Sequence, residues 1–333
     1  MIVRIPGVEI ECLATAVPRT VCDFRSDTSR FGLDETERII RSTGISRVRK
    51  TTDSETAADL CVSAAENLFQ QNPSLRSEVD ALVYVTITPD YICPQTSPAL
   101  HQRLGLRKDA PCVDLSYGCS GYIYGLWQAG MMISSLGINR VLVLAGETMS
   151  KAVDPNDRAT ALIFGDGGSA TLVTKSKDKD ICLALGSDGR GNHSVRIPSS
   201  GFKKSNEPRR VFMDGTEIVN FVIREIPDHI SQLFKFAEVS ADDIELAVFH
   251  QASDMILKYL ERSLKLSGRC PTSGLQQFGN TGSASIPLTL STASPGPSRL
   301  AKNTLLCGFG VGLSWGSALV DLSHTLILPP LDV

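Results

Sequence analysis

Runs of consecutive apolar positions alternate with amphipathic stretches along most of the chain. Residues 80–87 (DALVYVTI) are almost continuously apolar, the pattern of a short strand covered on both faces. A helical stretch follows over 97–104 and closes at Gly105. Residues 110–115 (APCVDL) read as the next strand, and 120–136 as a long helix stopped by Gly137. Residues 140–145 (RVLVLA) give another buried strand, and 161–173 (ALIFGDGGSATLV) a Gly-rich bend leading into one more. This alternation predicts an α/β fold with parallel strands.

The second half repeats the order of the first. The strand and helix ending in Arg103-Leu-Gly-Leu106 have counterparts in the strand 244–250 and the helix ending in Arg262-Ser-Leu-Lys-Leu266. The strand near Val141 has its counterpart at 303–307. Two similar halves, 1–173 and 174–333, are therefore expected to pack face to face with a site between them. The charged, Gly- and Ser-containing stretch 186–210, which carries Arg190, Lys203, Lys204, Arg209 and Arg210, reads as a linker or surface loop.

Composition narrows the functional classes. With 33 basic and 36 acidic residues the 333-residue chain carries a formal charge of −3, which argues against a generally basic nucleic-acid surface. No apolar run approaches the roughly 18 residues of a membrane span, and the N-terminus lacks a signal-peptide pattern. The nine cysteines are odd in number, widely spaced and free of any C-x-x-C pair, so neither a disulfide framework nor a zinc cage is expected. The five histidines are scattered without ligand spacing, so no metal is expected either. Phe164-Gly-Asp-Gly-Gly168 is not a dinucleotide or P-loop fingerprint. A cytoplasmic location follows as an expectation.

Cys119 stands apart from the other cysteines. It lies in Ser116-Tyr-Gly-Cys-Ser-Gly-Tyr122, after a buried strand and at the start of the long helix. The turn exposes a sulfur, and the helix start is expected to lower its pKa; a buried small residue is the competing reading. His250 ends a strand, where polar residues often line a ligand crevice, although a lone strand-end histidine is commonly structural. Asn280 sits among small residues before a helix-like run, as a cap or turn former also would. Together, a thiol, an imidazole and an amide suit acyl transfer to sulfur with stabilisation of an oxyanion or enolate.

Six motifs occur in order: Tyr117-Gly-Cys-Ser-Gly, Asp154-Pro-Asn-Asp-Arg158, Phe164-Gly-Asp-Gly-Gly, His250-Gln-Ala, Gly279-Asn-Thr-Gly-Ser-Ala-Ser and Gly308-Phe-Gly-Val-Gly-Leu-Ser-Trp-Gly-Ser317. With these the chain resembles the β-ketoacyl-acyl-carrier-protein synthase III group of the thiolase superfamily over essentially its whole length. The resemblance implies a five-layered αβαβα fold of two duplicated halves, a homodimer, and no cofactor beyond acyl-CoA or acyl-carrier-protein thioesters. It implies that Cys119 takes the acyl group and that His250 and Asn280 assist malonyl decarboxylation. The backbone N–H groups of Cys119 and Val311 match the oxyanion hole, where the family usually has glycine at the second position. The implied partners are acyl carrier protein and malonyl-acyl carrier protein, in fatty-acid or specialised acyl biosynthesis.

The departures concern the carrier end. Arg158 matches a CoA-contacting arginine, but Arg38 replaces the family's adenine-stacking tryptophan and Ser42 an expected basic residue. Ser253-Asp-Met255 replaces Asn-x-Arg. Losing an aromatic platform and a guanidinium should weaken CoA binding. Cys93, in Tyr91-Ile-Cys-Pro94, stands where the family often has a bulky residue closing the acyl pocket across the dimer, so a longer acyl group is one expectation and compensation by Tyr91 or Ile92 the other. An acyltransferase to hydroxyl or amine acceptors, or a thioesterase, would use the same cysteine. A papain-like hydrolase shares the Cys, His, Asn order but lacks that family's local signature.

Overall fold

A computed structural model describes residues 1–293 and 301–333. The predicted strands and helices of the first half are present. The strands are Ala81–Val85, Cys112–Leu115 and Arg140–Thr148; the helices are Ser97–Arg103 and Gly121–Leu136. The long helix ends where Gly137 adopts a left-handed conformation at φ 69°.

Hydrophobic periodicity sets the layers. The helix Gly121–Leu136 carries no charged residue and is apolar all round, so it can only be buried between two other layers. Tyr122, Ile123, Leu126 and Ala129 meet one sheet through Val83, Val85 and Val143. They share that core with Val248, Leu306 and Ala318 of the other sheet, and the helix Ser285–Ala293 contributes Ile286 and Leu290. The outer helices are one-sided. Ala57–Gln71, held by a Thr56/Asp59 capping box, buries Ala58, Cys61, Ala65 and Leu68 against the first sheet. Gly215–Ala237 buries Ile218, Phe221, Val222, Ile226 and Ile230 against the second. Helix, sheet, helix, sheet, helix gives the expected five layers.

The duplication is legible in the pairing. Ala81–Val85 runs parallel to Arg140–Thr148, which runs antiparallel to the strand starting at Asp166. Likewise Leu246–Phe249 runs parallel to Thr304–Gly310, which runs antiparallel to Ser314–Val320. The sheets are thus mixed, not wholly parallel as expected. Nor do the halves meet at a linker. The expected boundary at 173/174 falls inside Asp166–Ser187, a 22-residue strand that pairs with Ile2–Val17 along its length and links both sheets into one ten-stranded network. Most of the stretch 186–210 is an exposed excursion from the end of that strand, closed by the short hairpin Val195–Arg196 with Phe212–Met213.

Candidate active site

Strand ends from both halves open onto one cavity of about 830 Å³. Cys119, His250, Asn280 and Val311 all line it, and so do Arg38, Arg158, Ser253 and Met255. The structure therefore brings together every singled-out site residue except Cys93. That side chain is exposed on the loop before the Ser97–Arg103 helix, outside the cavity of its own chain.

Cys119 stands two residues before the helix Gly121–Leu136. Its own N–H and that of Val311 both lie close enough to the sulfur to favour its thiolate. The approach depends on small residues opposite. A Cβ at Gly310 would lie 2.8 Å from the Cys119 Cβ and 3.1 Å from its Sγ, so only glycine lets the strand Thr304–Gly310 pass so close. Cys119 keeps partial exposure to the cavity, but protein surrounds its sulfur on most sides. Burial pushes the thiol up to about 12, the Glu147 charge adds to this, and the two N–H groups oppose it. The lowered pKa expected from the helix start is thus not what the structure gives: desolvation of the thiolate is the largest influence and outweighs the two N–H groups that face it. The resting nucleophile is a thiol.

His250 is 2% exposed at the end of Leu246–Phe249, with its ring edge-on to Phe309. Its Nδ1 lies 2.7 Å from the Ser285 Oγ, and that hydroxyl donates to the Gly282 carbonyl at 2.9 Å. With its one proton engaged there, Ser285 accepts from Nδ1–H. This assigns the tautomer and leaves Nε2 with its lone pair and no protein partner among the described residues. Burial lowers the imidazole to about 3, so the ring is neutral at pH 7.

Asn280 occupies a turn fixed from both sides. Its N–H donates to Ile163 O and its carbonyl accepts from Gly165 N–H, both at 3.0 Å. Its Oδ1 accepts from Gly282 N–H at 3.0 Å, which leaves the Nδ2 amide protons as donors without a partner among the described residues. The Phe164-Gly-Asp motif is in turn anchored by buried Asp166, which accepts from the N–H and hydroxyl groups of Thr51 and Ser150 at 2.6–2.9 Å.

Two features escaped the sequence reading. Glu147 is fully buried at the end of Arg140–Thr148. It accepts from the hydroxyls of Thr86, Thr88 and Ser283 and from Ile87 N–H at 2.8–3.2 Å, joining the loop after one strand to the Asn280 turn. Burial is the largest influence on it and raises it to about 7, against the hydroxyl and N–H donors. A lone carboxylate closing the run RVLVLAGE was the available signal. Glu35 is the other: at the cavity mouth its Oε1 pairs with Arg38 at 2.9 Å and Arg158 at 3.1 Å. Ser253 caps the helix Asp254–Ser263, its hydroxyl accepting from Ile256 N–H at 3.4 Å, and Met255 is exposed at the rim. Among the described residues there is no metal-binding cluster, and no helix is long and apolar enough to cross a membrane.

Residues 113–189 match the family model described as 3-oxoacyl-acyl-carrier-protein synthase III, and residues 234–322 match its C-terminal counterpart. A β-ketoacyl-acyl-carrier-protein synthase III of Rhodopirellula baltica is 32% identical, over 95% of this chain and 99% of its own. A second such synthase, from Streptomyces coelicolor, is 35% identical over 94% of this chain and 93% of its own. Among solved structures, a 3-oxoacyl-acyl-carrier-protein synthase from Burkholderia xenovorans superposes with a TM-score of 0.94 at 32% identity, covering 100% of this chain and 99% of that one.

Proposed function

The chain belongs to the 3-oxoacyl-acyl-carrier-protein synthase III family, and from that premise we propose that its cavity performs a decarboxylative Claisen condensation through an acyl group on Cys119. The observation that carries the reading is the cavity itself, where a thiol, a neutral imidazole and a free amide converge.

The first half-reaction is acyl transfer to sulfur. Because the resting thiol holds its proton, attack on the thioester carbonyl requires a base, and His250 Nε2 is the unprotonated nitrogen available in the cavity. The tetrahedral oxyanion falls to the N–H groups of Cys119 and Val311, and the carrier thiolate leaves with a proton. In the second half-reaction malonyl-acyl carrier protein loses carbon dioxide. The electron pair released forms an enolate whose oxygen is met by the Asn280 Nδ2–H, while His250, having passed the Cys119 proton to the carrier thiolate, stays neutral beside it. The enolate carbon then attacks the acyl-Cys119 carbonyl, and the thiolate leaves. The free amide of Asn280 favours condensation over transfer to a hydroxyl or amine, or thioester hydrolysis, because those need no enolate stabilisation.

The rest of the reading concerns substrates and setting. Arg38 and Met255 at the rim supply neither an aromatic stacking platform nor a free guanidinium, which supports a carrier-bound primer over acetyl-CoA. The reaction needs only thioesters, without metal or cofactor. The half-exposed edge strand Cys112–Leu115, together with the exposed Tyr91 and Ile92 on the loop before the Ser97–Arg103 helix, supports a homodimer through that edge. Cys93 then reaches a site only in the partner, where a small side chain leaves room for a longer acyl group. All nine cysteines are free, in keeping with a reducing cytoplasmic setting.

Intact-protein mass spectrometry after incubation with acyl-CoAs and acyl-acyl carrier proteins tests the reading. A mass gain that disappears in Cys119→Ala, followed by carbon dioxide release on adding malonyl-acyl carrier protein, is expected. An acyl-enzyme that transfers to other acceptors without releasing carbon dioxide would overturn the condensation step.

A further inference from the structure

At the cavity mouth the charges are arranged against what a polyphosphate would need. Any thioester that reaches Cys119 must leave its carrier end at the rim, which the first turns of the helix Leu33–Thr43 and the segment around Arg158 help to form. Two guanidiniums stand there, Arg38 and Arg158, each with 61% of its side chain exposed. Free guanidiniums in that position would chelate phosphate bidentately. Here both are turned onto a single carboxylate oxygen, Glu35 Oε1, and Glu35 itself is only 24% exposed. The fold has little need of this trio, because exposed pairs contribute about 0–1 kcal/mol each. Its larger effect is on the field at the rim: with Glu35 the three groups sum to one positive charge, without it to two.

We propose that Glu35 is a specificity-determining residue that selects against CoA thioesters at this site. The inference rests on the thioester-transfer reading above. A CoA head carries a pyrophosphate and a 3′-phosphate, several negative charges concentrated where Glu35 sits. A carrier-bound phosphopantetheine arm carries one phosphodiester, and that lies at the carrier protein's own surface. Glu35 therefore both repels the CoA head and occupies the two guanidiniums that would bind it, whereas the carrier-bound arm passes with little penalty.

The test compares wild type with Glu35→Gln and Glu35→Ala. Binding of desulfo-CoA is measured calorimetrically at low and high salt, and loading of Cys119 is measured from one acyl group on CoA and on acyl carrier protein. Both variants are expected to bind desulfo-CoA about tenfold more tightly at low salt, from removing one like charge about 6 Å from a phosphate. The gain should shrink at high salt and be lost in Glu35→Gln/Arg158→Ala. The ratio of kcat/KM for acyl-CoA over acyl-acyl carrier protein should rise by a similar factor. Unchanged or weaker desulfo-CoA binding in both variants overturns the proposal, since Glu35 would then be orienting the guanidiniums for phosphate. The binding arm needs no turnover. If no thioester loads Cys119 in the wild type, the functional reading fails, while the desulfo-CoA comparison still decides the role of Glu35.

Discussion

The floor and the mouth of the cavity are built in opposite ways. On the floor, Cys119, His250 and Asn280 are each fixed by backbone or by buried partners: two N–H groups around the sulfur, Ser285 on the imidazole, Gly282 on the amide. At the mouth, Arg38, Arg158 and Met255 are mostly exposed, and among the described residues the two arginines are held by one shared carboxylate, Glu35. A buried polar group without a partner is costly, so the floor tolerates few arrangements. An exposed rim pair is nearly neutral for stability, so the rim is free to vary with the substrate. Reaction type is therefore written in the floor and donor choice in the mouth.

The sharpest break of this contrast is Asn280→Ala. Loss of one preordered donor to the enolate should lower carbon dioxide release from malonyl-acyl carrier protein by about 10²–10³-fold. Acyl loading of Cys119, followed by mass, should persist. Equal loss of both half-reactions would mean that Asn280 holds the whole cavity together instead.

A second prediction concerns the buried charges beneath the floor. Glu147 is raised from 4.5 to about 7, so the folded state holds its proton more tightly than the unfolded chain does. Its contribution is present below pH 4.5 and is lost as pH rises to about 7, a change of a few kcal/mol. His250 is lowered from 6.5 to about 3, so its contribution is present above pH 6.5 and is lost as pH falls towards 3. The two slopes oppose each other between pH 4.5 and 6.5. Urea unfolding of Glu147→Gln across this range should therefore show stability rising more steeply with pH than in wild type. Parallel profiles would show that Glu147 does not titrate in this window.

The smallest effect belongs to the mouth. Arg158→Ala removes a mostly exposed partner of a carboxylate that keeps Arg38, and thermal or urea unfolding should register no more than about 1 kcal/mol. A larger loss would make the rim part of the scaffold and erase its contrast with the floor.

The strands around 81–85 and 140–148, the helix 121–136 and the repeat were legible because each leaves a local trace. Continuous apolar runs mark strands covered on both faces, and a charge-free helix marks a central layer. The motif cysteine, histidine and asparagine were legible for a related reason: each sits at a strand end or tight turn whose small neighbours are themselves a signal. What the sequence did not carry was anything that depends on distant segments meeting. The mixed strand directions and the shared strand Asp166–Ser187 follow from pairing with Ile2–Val17, which lies more than 150 residues away. The thiol of Cys119 looked activated from its place before a helix. Only the packing of the strand Thr304–Gly310 against it, with the Glu147 charge adding to the same shift, revealed that desolvation prevails. In the same way Glu35, Arg38 and Arg158 are three ordinary surface charges in the sequence, and become one device because the fold sets two segments some 120 residues apart on the same rim. Local chemistry and periodicity are properties of neighbours along the chain; desolvation and charge pairing are properties of neighbours in space.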